Sequence, residues 1–279
     1  MKNHKYPKIS IITVVYNDVH NIAKTIESVL SQDYPDIEYI IVDGDSSDGT
    51  KNIIQSYIDA KSSVFKHSIT KFISEKDRGI YDAMNKGIDM ATGEWCNFMN
   101  SGDRFYEHST ITKCFEKYQE AIKANGGGGY SVIYGDSELF YDKFNQKIIH
   151  SKSANHKYHH RFVHQSAFID LNIMKKYHYN NRFKIAGDTD FFTKIFNSGH
   201  LFKKIDVIIA TFSLDGISAK PSLEMLLEDM KITYQYNRFY PMFLCIRYIF
   251  YILPRFYLRS ILPKSIKNKL RITFGKNSL

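Results

Sequence analysis

Acidic residues recur in this chain where apolar runs stop. Ile37-Glu-Tyr-Ile-Ile-Val-Asp43 is a run of strand length that ends on Asp43. It passes straight into Gly44-Asp-Ser-Ser-Asp-Gly-Thr50, a tight acidic turn before a helical pattern. Asp103 follows Asn97-Phe-Met-Asn100, Asp136 follows Tyr134-Gly135, and Asp188 and Asp190 open another helical pattern. One strand-end Asp is usually a turn former or a cap. Several on one sheet edge predict a site, because open α/β sheets bind ligands beyond the carboxyl ends of their strands. Asp43 there suits a hydrogen bond to a ribose or a base better than the cradling of a phosphate. Carboxylates on short loops are the hard oxygen donors that Mg²⁺ or Mn²⁺ prefer. One or two of them, with phosphate oxygens from the ligand, would hold a nucleoside diphosphate.

Other constellations carry less. His160 and His164, in a cluster with His156 and His159, have a His-x₃-His spacing, but no Cys or Glu ligand pattern accompanies them, which argues against zinc. Gly126 to Gly129 follow a helical pattern and lack the Lys-Ser/Thr of a P-loop, so they predict a surface turn. No Gly-x-Gly-x-x-Gly follows the first strand, which argues against a nicotinamide dehydrogenase. Trp95, inside an apolar run, is expected in the core.

The elements that must position these residues alternate. Strands are expected at 8–16, 37–43, 69–74, 93–100, 132–136, 162–169 and 204–212, with a hairpin over 138–149. Helices are expected from Ile22, over 50–60, up to Met90, over 109–124 and over 190–198. This alternation predicts an α/β fold with a largely parallel sheet, right-handed crossovers and both halves on one sheet.

Charge separates the tail from the rest. The 279 residues carry 38 Lys and Arg against 29 Asp and Glu, a net +9. Nine of the basic residues lie from Arg238 onward (Arg238, Arg247, Arg255, Arg259, Lys264, Lys267, Lys269, Arg271, Lys276) with no acid among them, so the upstream part is neutral. A nucleic-acid binder would spread its charge otherwise. Between Phe239 and Leu262 the tail is apolar and aromatic, broken by Arg247, Arg255 and Arg259 and by Pro241 and Pro254, with Pro263 following. No run reaches the ~20 apolar residues expected of a bilayer span. The composition fits a segment lying on an anionic leaflet; the alternative is a helix packed on the core with a solvated basic face. Three widely spaced cysteines suit a reducing compartment. The first eight residues are polar and basic, so no secretory signal is expected and the reading is cytoplasmic.

Four motifs in order resemble a known family: Ser10-Ile-Ile-Thr-Val-Val-Tyr-Asn17, Val42-Asp-Gly-Asp-Ser-Ser-Asp-Gly-Thr50, Phe98-Met-Asn-Ser-Gly-Asp103 and Ala186-Gly-Asp-Thr-Asp-Phe191. Together they look like the family 2 inverting glycosyltransferases of the GT-A fold. The run from Ser74 to Gly87 is similar to the subgroup found in bacterial colanic acid, capsule and O-antigen clusters. The resemblance covers residues 8–218. It implies a GT-A catalytic domain over 1–218 (nucleotide half 1–105, acceptor half 106–218) and a helical, membrane-associating extension over 219–279.

The resemblance also assigns roles. Thr13, Val15 and Asn17 would flank the nucleotide, and Asp43 would bond its base. Asp77 and Arg78 would read nucleotide and donor, joined by Ser101 and Gly102. Asp103 would hold a divalent metal, Mn²⁺ or Mg²⁺, and Asp188 would be the base that deprotonates the acceptor. His164, in a His-Gln pair, is a candidate for substrate or diphosphate. The implied reaction moves a hexose or N-acetylhexosamine from a nucleotide-sugar, UDP-linked by preference, to a polyprenyl-diphosphate-linked saccharide at the inner face of the plasma membrane. The alternative is a catalytically weak nucleotide-binding scaffold of a polysaccharide assembly complex. Three departures stand out. Asp43-Gly-Asp45-Ser46 replaces the usual Asp-Asp-Gly-Ser, Asn100-Ser-Gly-Asp103 keeps only the last metal Asp, and Gly187 stands where Glu is frequent.

Overall fold

The computed structural model of the protein describes residues 6–60, 65–142, 145–153, 155–213 and 222–262. The expected boundary at 218–219, the hairpin tip and the last five basic residues therefore lie outside the described residues.

Four strands form the first half: β1 (Ile9–Val15), β2 (Ile37–Asp43), β3 (Ile69–Ser74) and β4 (Trp95–Phe98), ordered β3-β2-β1-β4 and all parallel. All seven residues of β1 are buried. A strand covered on both faces reads as an unbroken apolar run rather than an alternating one. Its Ile12 and Val14 join a core with Met84 and Ile88 of α3 (Ile80–Met90). Ile9, Ile11 and Val15 join a second core with Ile22, Ile26 and Val29 of α1 (Ile22–Leu30). Helix α2 (Thr50–Asp59) adds Ile54 to that second core.

The second half is mixed rather than parallel. β8 (Ala167–Asp170) runs antiparallel to β4, and β6 (Val132–Asp142) runs antiparallel to β8. β9 (Phe202–Ser213) pairs parallel to β6, while β5 (Arg104–Phe105) and β7 (Asn145–Ile149) pair antiparallel on β9 and β6. The nine described strands make one sheet, so the halves are joined through it.

The strand expected over 162–169 is mostly not one. Val163 accepts from the Ser166 amide and hydroxyl, which bends the chain into a 3₁₀ turn at His164–Ser166 before β8. Phe162 just before the turn, and His164 and Ser166 within it, are buried, so a buried turn passes for strand. Helix α4 (Thr110–Ala124) ends in Gly126 and Gly127 at φ +64° and +90°, the left-handed backbone that glycine tolerates. Helices α5 (Leu171–Tyr177) and α6 (Gly187–Asn197) follow, α6 starting three residues earlier than expected.

The C-terminal elements are α7 (Leu223–Tyr234), α8 (Tyr240–Arg247), a π turn (Tyr248–Ile252) and α9 (Leu253–Ser260). α7 buries Ile232 in the first core. The expectation that no stretch matches a bilayer needs correction: Tyr240–Leu258 is one helical run of 19 residues, long and apolar enough by length and composition to cross one. Its prolines do not interrupt it, because Pro241 lies at the start of α8 and Pro254 at the second residue of α9 behind the π turn. Only 17% of that run is buried.

Candidate active site

The parallel strands end side by side, with Val15 opposite Asp43 and Asp43 opposite Ser74. Asp43 is fully buried. Its Oδ2 accepts from the Ser74 hydroxyl (2.7 Å) and the Ser46 amide (3.0 Å). Its Oδ1 is buried with no hydrogen-bond partner among the described residues. An unsatisfied buried carboxylate oxygen is costly, and such atoms in native proteins mark a missing donor.

The turn after Asp43 is fastened to the end of β1. The Asn17 amide donates to Ser46 Oγ (2.7 Å), and Asn17 Oδ1 accepts from the Ser47 amide (2.9 Å). A Cβ at position 44 would lie 2.5 Å from Asp77 Oδ2 and 3.3 Å from the Tyr16 ring. Glycine there lets Asp77 close over the turn, where its Oδ1 accepts from the Gly79 amide (2.8 Å). Asp45 sits at φ 67° with its carboxylate turned out to Lys51 (2.8 Å). The swapped order of Gly44 and Asp45 thus keeps one acid in the crevice and sends the other to solvent. Arg78 is 81% exposed in its side chain and reaches Asp82 Oδ1 at 2.8 Å. An exposed ion pair of this kind is weak and can be exchanged for a ligand.

Thr13 does not reach the crevice. It is fully buried, its hydroxyl donates to the Met99 carbonyl (2.7 Å), and the Tyr39 hydroxyl lies at 3.0 Å. Its side chain is spent on joining β1, β2 and the loop after β4. Val15 meets the turn only through its carbonyl, which accepts from the Gly44 amide (2.9 Å).

The loop after β4 brings Asp103 beside the end of β1. The Ser101 amide donates to the Val14 carbonyl (3.2 Å) and its hydroxyl to Asp18 Oδ2 (2.7 Å). Gly102, at φ +94°, donates its amide to Thr25 Oγ1 (3.0 Å), whose hydroxyl donates to the Asp103 carbonyl (2.7 Å). Asp103 Oδ2 accepts from Gln165 Nε2 (2.7 Å). Burial pushes the Asp103 carboxyl up to about 7; the Gln165 bond opposes this and the Asp18 charge adds to it. Asp18 thus places a second carboxylate next to the loop, which retains one. Asn100 Oδ1 is buried and unpartnered among the described residues. The Asp103 carboxyl, and the Asp18 carboxylate that accepts from Asn21 Nδ2 and the Ser101 hydroxyl, are hard oxygen donors of the kind a small divalent cation prefers. No group of three or more His, Cys, Asp or Glu residues suited to a metal occurs among the described residues, so such an ion would take its remaining positions from ligand phosphates and water.

Asp188 lies in the first turn of α6, with its side chain 25% exposed. Oδ1 accepts from the Thr189 amide (2.8 Å) and lies 3.5 Å from the Tyr81 hydroxyl, which donates to the Ile185 carbonyl (2.7 Å). A Cβ at Gly187 would lie 2.7 Å from the Tyr81 ring. Glycine at 187 is the space that Tyr81 fills, a local reason for the departure at this position. His160 Nε2 is 3.8 Å from Asp188 Oδ2, and burial lowers the His160 pKa to about 3, so at neutral pH it faces Asp188 uncharged.

His164 is a core residue rather than a surface ligand. Its Nε2 meets the Tyr179 hydroxyl at 2.8 Å, and its ring packs with Phe98 and Phe192. Burial lowers its pKa, keeping it neutral. The next residue, Gln165, reaches Asp103 instead; its adjacency to the predicted His164 was the only signal for it. Asp136 is committed elsewhere, to His150 (2.6 Å), the Ser151 amide (2.9 Å) and Lys204 (3.0 Å).

The glycosyl transferase family 2 model matches residues 10–190, a span that holds Asp43, Asp103 and Asp188. The chain is similar to the putative teichuronic acid biosynthesis glycosyltransferase TuaG of Bacillus subtilis, 36% identical over 146 residues, 52% of this chain and 54% of that protein. In structure it is similar to S. aureus TarS 1–349 in complex with UDP (TM-score 0.61, 15% identity, covering 92% of this chain and 75% of that one). It is also similar to the mannosyltransferase PcManGT from Pyrobaculum calidifontis in complex with GDP-Man and Mn²⁺ (TM-score 0.58, 14% identity, covering 97% and 88%). At those identities the likeness speaks for the fold alone, which is the GT-A type. With the family match spanning well over half of its length and all three acidic loops, the chain belongs to glycosyl transferase family 2 and is a glycosyltransferase.

Proposed function

We propose that this enzyme transfers, with inversion, a hexose or N-acetylhexosamine from a UDP-sugar to a polyprenyl-diphosphate-linked saccharide at the cytoplasmic face of the plasma membrane. The product would enter a bacterial surface polysaccharide of the O-antigen, capsule or exopolysaccharide class. The observation that carries the nucleotide reading is the buried Oδ1 of Asp43, unpartnered among the described residues. It is an acceptor waiting for an N–H, which the imide of uracil supplies. The UDP held by TarS supports the choice of base, and the polysaccharide role named for TuaG supports the pathway class.

In this reading Asn17 and Asp77 line the nucleotide site, with Val15 contributing backbone, while Arg78 swings from Asp82 to the donor. Ser101 and Gly102 shape the loop that presents Asp103. A divalent ion, Mn²⁺ or Mg²⁺, held by Asp103 with Asp18, would neutralise charge on the departing diphosphate. Asp188 takes the proton from the acceptor hydroxyl as that oxygen attacks the anomeric carbon from the side opposite the leaving group. His164 drops out as a ligand and holds the turn from which Gln165 reaches Asp103.

The catalytic part is proposed to end near 218, and the extension beyond it to dock on the membrane. Phe239, Phe250 and Ile261 are 76%, 75% and 80% exposed, and the helical run between them carries an exposed Arg247 and a half-buried Arg255. Apolar and aromatic side chains beside cations suit an anionic leaflet, where a lipid-linked acceptor resides. The scaffold reading leaned on the departures at Asn100 and Gly187. Asp18 and Tyr81 give each a local physical reason, which favours the enzyme. A panel of nucleotide-sugars tested for metal-dependent hydrolysis decides between them: turnover of a UDP-sugar is expected, and UDP binding without turnover of any donor would favour the scaffold.

A further inference from the structure

One buried carboxylate outside the crevice holds a piece of it. Glu228 of α7 is 6% exposed. Its oxygens accept from three consecutive backbone amides, Lys184 to Oε1 (2.8 Å), then Ile185 (3.0 Å) and Ala186 (2.8 Å) to Oε2. These residues are the lead-in to α6, two positions ahead of Asp188. A buried carboxylate is costly unless its oxygens are saturated, and charge-assisted bonds are about twice as strong as neutral ones. The lead-in is therefore clamped by Glu228 through its amides and by the Tyr81 hydroxyl through the Ile185 carbonyl. Glu228 itself lies beyond residue 190, where the family match ends.

We propose that Glu228 is a positioning residue for Asp188, so that α7, the first described helix of the C-terminal extension, completes the active site. This rests on Asp188 being the base. General-base catalysis requires a carboxylate within hydrogen-bond reach of the hydroxyl, and a misplacement of ~1 Å can cost ~10²-fold. Glu228 meets no substrate; its effect passes through the three amides. A side chain that merely stabilised the fold would alter turnover and nucleotide binding together.

The test uses the full chain as wild type, Glu228→Gln, Glu228→Ala, Asp188→Asn and the Glu228→Gln/Asp188→Asn pair. It reads amide hydrogen exchange at 184–186, the affinity for UDP with Mn²⁺, and kcat on whichever of UDP-glucose, UDP-galactose and UDP-N-acetylglucosamine the wild type turns over. In Glu228→Gln the three amides should exchange faster, UDP affinity should stay within about twofold, and kcat should fall about tenfold or more. Added to Asp188→Asn, the same change should cost nothing further, because both act through one group. Unchanged exchange, an unchanged kcat, a loss of UDP binding in step with kcat, or full additivity would each overturn the proposal. Should Glu228→Ala not fold, Glu228→Gln, which keeps one acceptor oxygen, carries the test. Full turnover in Asp188→Asn overturns the base assignment and this proposal together; full turnover in Glu228→Gln alone overturns only this proposal.

Discussion

Asp43 ends β2 and Asp103 ends the loop after β4, and their different surroundings give them different chemistry. Asp43 has two donors on one oxygen and, among the described residues, none on the other. Asp43→Asn replaces one of its acceptor oxygens with a donor, so UDP affinity measured by calorimetry should fall about tenfold or more while the melting temperature changes little. Asp103 is held up at about 7 by burial and by Asp18. Its folded pKa is above its unfolded value, so between about 4 and 7 the folded protein binds more protons than the unfolded one. Stability without metal should therefore decline as pH rises through that window, with Asp229, also pushed up to about 7 by burial and by the Asp188 charge, adding in the same direction. Asp103→Asn should flatten its share of that decline in thermal melts from pH 4 to 8. Affinity for Mn²⁺ should rise over the same range, because a metal needs the ionised carboxylate. Gly187→Ala forces the Tyr81 ring aside; turnover should drop while UDP affinity, proposed to depend on Asp43, holds.

At the scale of elements, legibility followed the range of the interactions. β1 and β2 are largely apolar runs because helices cover both faces, and the end of β2 marks Asp43 directly, whereas the edge strand β3 stays partly exposed. The turn at His164–Ser166 misled because its residues are buried without being strand. Thr13 misled in another way: a polar residue on a strand edge can serve the core, and its bond to Met99 spans a separation that no local pattern reveals. The C-terminal helix runs through two prolines because one opens α8 and the other follows a π turn. Removing residues 239 onward should abolish sedimentation with vesicles containing anionic lipid, while UDP binding stays within about twofold. Equal sedimentation of the shortened chain would remove the docking surface from the proposed function.

For the whole molecule, one mixed sheet joins the two halves that carry the three acids. Asp43 and Asp188 were visible as residue types at motif spacing. Asp18 and Gln165 were not, since each matters only through a loop far away in sequence: Asp18 receives the Ser101 hydroxyl and Gln165 donates to Asp103. The proposed reaction rests on Asp188. The most direct measurement compares wild type and Asp188→Asn for Mn²⁺-dependent turnover of a UDP-sugar panel, with UDP affinity recorded on the same samples. Wild-type turnover that falls by about 10²-fold or more in Asp188→Asn, at unchanged UDP affinity, is the expected result. Undiminished turnover in Asp188→Asn, or a wild type that binds UDP and turns over no donor, would contradict it.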